Sequence, residues 1–201
     1  MIYDTSFLKN KYSSYSNIAQ KISLEAKKGN LTRIKRGLYS DNLFVDAPVI
    51  SNVCHGPSYL SFEFALSYYG LIPEHVSTYT SACFLKKDRV VYFSQGIAFE
   101  YRNIPSQVFP YGICYEKNED GISYKIASKE KALCDTLYSM YPLRSIKDLK
   151  VLLFDNLRID LDEFQKLDFG FILELAPLYH SNTLYMLAKL AKEICSHADS
   201  H

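Results

Sequence analysis

The chain has 201 residues and nearly balanced charge, with 23 Lys and Arg against 22 Asp and Glu. This length predicts one full domain and a small additional module, and a hydrophobic content of 48% is enough for a core. Because no run of about 18 apolar residues occurs, we expect no membrane span. The polar first residues lack the apolar segment of a secretory signal.

The cysteines indicate a reducing cytoplasm with free thiols, because they are odd in number, widely spread and never in a CxxC pair. Cys54 and His55 are the only Cys/His neighbours, and adjacent residues rarely bind one metal, so we expect no metal site. The five cysteines are Cys54, Cys83, Cys114, Cys134 and Cys195.

Positive charge is concentrated at the N-terminal end. Residues 1–40 hold eight basic and two acidic residues, a net charge of +6, whereas the remaining 161 residues hold fifteen basic and twenty acidic ones, a net charge of −5. A basic end on an otherwise acidic protein suggests contact with an anion, and nucleic acid is the commonest large one. The alternative is a solvated charged face.

A helix and a short basic hairpin are predicted in this region. Ser16 can cap a helix that runs to about Lys28, and Gly29 is a stop signal. In residues 31–39, Arg36-Gly37 is typical of a tight turn between two short strands. A helix followed by a basic hairpin is typical of a winged helix, which predicts a DNA-binding module. The alternative is an ordinary connection between a helix and a strand, and residues 42–52 are predicted to be a linker.

The middle of the chain predicts one helix and then a small, antiparallel sheet. Residues 59–69 have helical apolar spacing, with Ser58 or Ser61 as the cap. The strands that follow are predicted from their Val and Tyr content and from turn signals between them. These strands cover residues 78–84, 89–94, 96–102, 111–116 and 122–126, with hairpin loops at 85–88 and 118–121.

From Ser128 onward the chain is predicted to be helical. Ser128, Ser145, Asp160 and Ser181 can each begin a helix, and another short helix is expected at 169–175. The complete pattern predicts the α+β class: a short winged-helix-like module, then a mixed domain with a small antiparallel sheet and a helical C-terminal part.

No common catalytic motif is present, so no catalytic residue or cofactor is predicted and the chain is not expected to be an enzyme. The best enzymatic alternative is a magnesium-dependent nuclease that uses Glu130, Lys131 and Asp135. Such chemistry needs carboxylates that converge in a cleft. Lys131 and Asp135 are one helical turn apart, which instead predicts a surface ion pair.

Two further features have more than one interpretation. Glu63 is a candidate functional carboxylate, but an acidic side chain in the first turn of a helix is also favoured by the helix dipole. The last helix has a broad apolar side that suits either core packing or a docking face for a partner.

Three motifs in order give the chain a resemblance to a known family. They are IKRGLY at 34–39, PSYLSFEFALSYYGLIPE at 57–74 and IASKEKALCD at 126–135. Together they resemble the AbiEi family of antitoxins, which are also transcriptional regulators. The similarity extends from about Phe7 to the last helix.

The resemblance implies the antitoxin of a type IV toxin–antitoxin pair in phage defence by abortive infection. The partner would be a nucleotidyltransferase-like toxin, and the antitoxin would counter its effect without forming a stable complex with it. In this family an N-terminal winged helix represses the operon by binding inverted repeats upstream of it. The resemblance further implies a DNA-binding module at 1–45 and an antitoxin domain at 46–201. Two departures are that only about thirty residues precede Leu31, which shortens the helix-turn-helix, and that Ser128 stands where many relatives have Pro.

The resemblance places the DNA contacts in the hairpin, and charge adds weaker candidates on the preceding helix. The alternative is a protein-interaction module that neutralises the toxin by contact, through tyrosine-rich surface or the last helix, without DNA binding. The predicted DNA-binding residues are Arg33, Lys35 and Arg36 in the hairpin, with Lys21, Lys27 and Lys28 on or next to the helix.

Overall fold

Two β-sheets organise the structure, a computed structural model that describes residues 1–42, 46–84, 90–94 and 96–198. One sheet has three strands and lies in the N-terminal part, and the other has six strands and is followed by helices. This arrangement confirms the predicted α+β class. The predicted hairpin loop at 85–88 lies outside the described residues.

The N-terminal part, residues 1–42, is called the N-terminal module below. Its sheet is antiparallel with the order β1-β3-β2, so the last strand lies between the first two. The predicted helix and hairpin are both present, and Asn17 rather than Ser16 caps the helix. The elements are β1 (Ile2–Asp4), α1 (Thr5–Lys11), α2 (Ile18–Lys27), β2 (Thr32–Lys35) and β3 (Leu38–Ser40).

The larger sheet has the order β6-β7-β5-β4-β9-β8 and is mixed. The expectation of a purely antiparallel sheet is wrong for two pairs, β4 with β9 and β5 with β7, which are parallel. The reason is that the hairpins β6–β7 and β8–β9 each join the sheet through their second strand. The elements are α3 (Ala47–Cys54), β4 (Ser58–Leu60), α4 (Phe62–Tyr68), β5 (Tyr79–Cys83), β6 (Val90–Ser94), β7 (Ile97–Asn103), β8 (Ile113–Lys117) and β9 (Ser123–Ala127).

Two local predictions in this region are wrong. The predicted linker at 42–52 contains most of α3, in which Pro48 occupies the first turn, where its missing N–H breaks no hydrogen bond. The helix predicted to begin at residue 59 begins three residues later, at Phe62, because Tyr59 and Leu60 belong to β4.

The C-terminal half is helical, as predicted. Side chains of Ser128, Ser145 and Asp160 each accept a hydrogen bond from the N–H three residues later, which satisfies a free donor at the helix start. The elements are α5 (Lys129–Ser139), α6 (Ile146–Lys150) with a π-helical continuation (Val151–Asn156), α7 (Leu161–Gln165), α8 (Phe169–Leu175) with a 3-10 turn (Ala176–Tyr179), and α9 (Asn182–Ala198).

The main core lies between the larger sheet and the C-terminal helices, and it includes Leu184, Leu187 and Ala191 of α9. The apolar side of α9 therefore packs inside the protein over most of its length. Ile34 of β2 packs in a second cluster with α3 and with strands of the larger sheet, and so attaches the N-terminal module to the rest. None of the helices within the described ranges is both long and apolar enough to cross a membrane. All five cysteines lie among the described residues, and none of them forms a disulfide bond.

Candidate nucleic-acid interface

Helix α2 packs against the rest of the N-terminal module through one side only. Ile22 packs with Leu8 of α1 and Leu31 in a small core, whereas Gln20 and Lys27 are exposed. At 100° per residue, Gln20 is about 160° from Ile22 around the helix axis. The helix therefore presents one whole side to solvent, and Gln20 and Lys27 lie on it.

The hairpin β2–β3 turns through Arg36 and Gly37, and Gly37 has φ +88°, which favours glycine. The start of α1 holds this turn in place: the Thr5 backbone N–H donates to the Gly37 carbonyl at 3.0 Å. The Thr5 hydroxyl donates to the same oxygen at 3.2 Å. The side chains of Arg33 and Arg36 are exposed on this braced hairpin.

Lys35 has a different environment from the two arginines. Its half-buried ammonium group donates to the carbonyl oxygen of Cys54, at the end of α3. This hydrogen bond ties the hairpin to the larger domain. Burial raises the pKa of the neighbouring Cys54 thiol to about 11, so the thiol is neutral at physiological pH.

Lys21 is also engaged within the protein. Its Nζ lies 2.8 Å from Glu25 Oε1, and the other Glu25 oxygen accepts a hydrogen bond of 2.8 Å from Asn30 Nδ2. The hydrogen bond from Lys21, followed by that from Asn30, lowers the pKa of Glu25. Lys21 Nζ also lies 4.6 Å from the centroid of the Tyr15 ring, a cation–π contact. Lys21 therefore stabilises the end of α2.

The six predicted DNA-binding residues thus fall into two groups. Two of them make internal contacts, and four are exposed and form no ion pair with any described residue. An exposed, unpaired cation on a rigid frame can contact a phosphate without first breaking an internal bond. The internal group is Lys21 and Lys35, and the exposed group is Lys27, Lys28, Arg33 and Arg36.

The predicted contacts did not include Gln20, which is exposed on α2. They also left out Lys9 and Lys11 of α1, and both are exposed. The family resemblance selected the hairpin cations and charge selected the helix lysines, so a neutral amide on the helix gave no signal. The position of Gln20 opposite Ile22 on the helix could have identified it.

The predicted surface pair of Lys131 and Asp135 is wrong in its location, because both side chains are completely buried. Their helix, α5, lies between β4 and the 3-10 turn after α8, so this side of α5 faces the core. Neither side chain reaches solvent. Glu130 accepts hydrogen bonds from the Ser128 hydroxyl and the Asp168 backbone N–H, and so stabilises two helix starts.

Glu63 lies in the first turn of α4, as the dipole interpretation expects, and is half-buried. It accepts a hydrogen bond of 2.8 Å from Arg102 Nη1, and Arg102 Nε also lies 2.5 Å from Glu100 Oε1. This bridge joins α4 to β7.

Within the described part of the chain, no group of three or more His, Cys, Asp and Glu side chains is arranged to hold a metal ion.

In comparisons with known proteins, the chain matches no protein-family model and no curated protein.

Proposed function

We propose that this protein is a cytoplasmic, DNA-binding antitoxin of the AbiEi type. It represses its own operon through the N-terminal module and counters a nucleotidyltransferase-like toxin through the larger domain. The proposal rests on the organisation of the N-terminal module and on the spatial arrangement of the motifs that resemble the family.

The order of elements in the N-terminal module is the observation that carries the DNA-binding proposal. Two helices follow β1, a hairpin follows them, and β3 lies between β1 and β2 in the sheet. This order is similar to that of a winged helix after its first helix, in which the later helix enters the major groove and the hairpin meets phosphate. The four exposed cations lie on or beside these two elements.

The antitoxin proposal is supported by the way two distant motifs meet. Motif 57–74 forms β4 and α4, and motif 126–135 forms the end of β9 and most of α5. Leu60 pairs with Ile126 across the parallel strands, and the Ser61 hydroxyl donates to Asp135 Oδ2 at 2.7 Å. Two segments that resemble the family in sequence therefore form one structural unit.

Co-expression with the toxin gene that the proposal places in the same operon tests both parts in one strain. The protein should restore growth when the toxin is induced and should reduce expression of a reporter driven by the upstream DNA. The variant Arg33→Ala/Arg36→Ala should lose repression and keep the rescue, because the larger domain is unchanged. Absence of rescue by the wild-type protein would contradict the antitoxin proposal, and absence of repression would contradict autoregulation.

The second candidate is neutralisation of the toxin by direct contact without DNA binding. Exposed tyrosines on the larger domain favour it, because tyrosine is enriched at protein interfaces. The buried apolar side of α9 argues against docking through the last helix. Co-elution with the toxin at micromolar concentration would support this candidate, and separate elution would contradict it. The exposed tyrosines are Tyr68, Tyr111, Tyr115, Tyr141 and Tyr185.

A further inference from the structure

Gln20 and Leu24 are neutral side chains on the solvent side of α2, where each is large enough to reach beyond the helix surface. Gln20 is exposed, and its amide makes no hydrogen bond with any described residue. Leu24, one turn later, is 45% exposed and does not pack on the core of the N-terminal module. Both side chains are therefore open to contact from outside the module.

These two side chains match the chemistry of an A·T base pair in the major groove. A glutamine amide can donate to adenine N7 and accept from the adenine N6 amino group at the same time. A leucine methyl group can contact the C5 methyl group of thymine. Gln20 and Leu24 are about 6 Å apart along the helix axis, so they can reach neighbouring base pairs.

We infer that Gln20 and Leu24 determine the DNA sequence preference of this protein by reading an A·T-containing step. This inference rests on the proposed DNA-binding function and deepens it. The exposed cations hold the protein on phosphate, whereas the two neutral residues select the bases. Asn17 is excluded from this role because its side chain accepts the hydrogen bond from the Gln20 backbone N–H that caps α2.

Selection from a library of random duplexes tests the inference, whatever the operator sequence is. Wild-type protein should enrich sequences with A·T pairs at fixed positions. Gln20→Ala should lose the preference for adenine, and Leu24→Ala should lose the preference for thymine. Both variants keep α2, because alanine favours helix, and circular dichroism checks this. Gln165→Ala and Leu161→Ala are matched controls, since both residues are exposed on α7 in the larger domain.

Fluorescence anisotropy then measures affinity for the selected duplex and for a copy with the A·T pairs replaced by G·C. Wild-type protein should discriminate on the order of 10- to 100-fold, and Gln20→Ala should lose most of this ratio. The salt dependence should be unchanged, because no charge is removed. If Gln20→Ala and Leu24→Ala enrich the same sequences as the wild type, the inference is overturned while the DNA-binding function stands. If the wild type enriches no sequence, operator recognition and the inference both fail.

Discussion

Lys131 Nζ lies 3.0 Å from Asp135 Oδ1, and both side chains are completely excluded from solvent. A buried ion pair is tolerated only when further hydrogen bonds satisfy its remaining donors and acceptors. Here the Tyr179 hydroxyl accepts from Lys131 at 2.6 Å and lies 2.5 Å from Asp135 Oδ1, to which it donates. Ser61 and Tyr59 donate to the second Asp135 oxygen at 2.7 and 3.0 Å.

This cluster holds three distant parts of the chain together. Tyr59 and Ser61 belong to β4 and the start of α4, the ion pair belongs to α5, and Tyr179 ends the 3-10 turn after α8. Burial, and after it the charge of Asp135, raises the pKa of both tyrosine hydroxyls well above the usual value. Both hydroxyls therefore stay protonated and act as donors to the carboxylate.

Breaking the buried pair should destabilise the protein strongly. Lys131→Met and Asp135→Asn should each lower the free energy of unfolding by about 3–5 kcal/mol, because one charge remains buried without its partner. The double variant should lose less free energy of unfolding than the two single variants lose together, since the two groups interact directly. Urea denaturation measures all three, and Lys147→Met on the exposed side of α6 is the control, with a change below about 0.5 kcal/mol. Equal stability of Lys131→Met and Lys147→Met would contradict this account.

Gly112 should not tolerate a side chain. Its φ is +65°, and a Cβ would lie 2.8 Å from Lys131 Cβ and 3.2 Å from Phe171 Cε1. Gly121 has φ +76° and no neighbouring atom within 4 Å of such a Cβ, so it is a matched control. Gly121→Ala should cost about 1–2 kcal/mol from backbone strain, and Gly112→Ala about 1–3 kcal/mol more from overpacking. Equal melting temperatures for the two variants, measured by thermal denaturation, would contradict this prediction and show that α5 can move away from Gly112.

Local signals were sufficient for the capped helices and the β2–β3 and β8–β9 hairpins. Ser128 and Asp160 specify helix starts through hydrogen bonds within four residues, which a sequence displays directly. The burial of Lys131 and Asp135 could not be predicted in this way, because the hydroxyl partners are 44 to 76 residues away from Asp135 in the chain. The parallel pairing of β4 with β9 is equally non-local, and a three-residue strand gives little periodicity.

The same contrast holds for the candidate interface. Charge identified the basic hairpin, and its two-residue turn is present as predicted. Charge could not distinguish the exposed Arg33 from Lys35, whose ammonium group binds the Cys54 carbonyl. Cys54 lies at the end of α3, a helix that was not predicted from the sequence. Three-dimensional packing decides which cations remain available.

Acid should weaken the N-terminal module through Glu25. Its pKa is lowered in the folded protein by Lys21 and Asn30, so its contribution is present above the ordinary value of 4.5 and is lost as the pH falls through the folded pKa. Glu25→Gln should therefore lower the melting temperature at pH 7. Well below pH 4.5 the two proteins should become alike, because the wild-type carboxyl is then neutral as well. A difference in melting temperature that is the same at both pH values would contradict the role assigned to the Lys21–Glu25 pair.

Removing the exposed arginines of the hairpin should reduce the salt dependence of DNA binding. Each lost phosphate contact lowers the slope of log K against log salt concentration by about 0.9. Arg33→Ala/Arg36→Ala should therefore bind more weakly and with a shallower slope. Arg144→Ala/Lys147→Ala removes the same charge from an exposed part of the larger domain and should bind as the wild type does. Equal slopes for the two double variants would place the DNA contacts elsewhere.

The most direct test of the account is fluorescence anisotropy on DNA from upstream of this gene, measured at two salt concentrations against unrelated DNA of the same length. The account predicts tighter binding to the upstream DNA, with affinity for both DNAs falling as salt increases. Equal affinity for the two DNAs would contradict the proposal that the N-terminal module recognises its own operator.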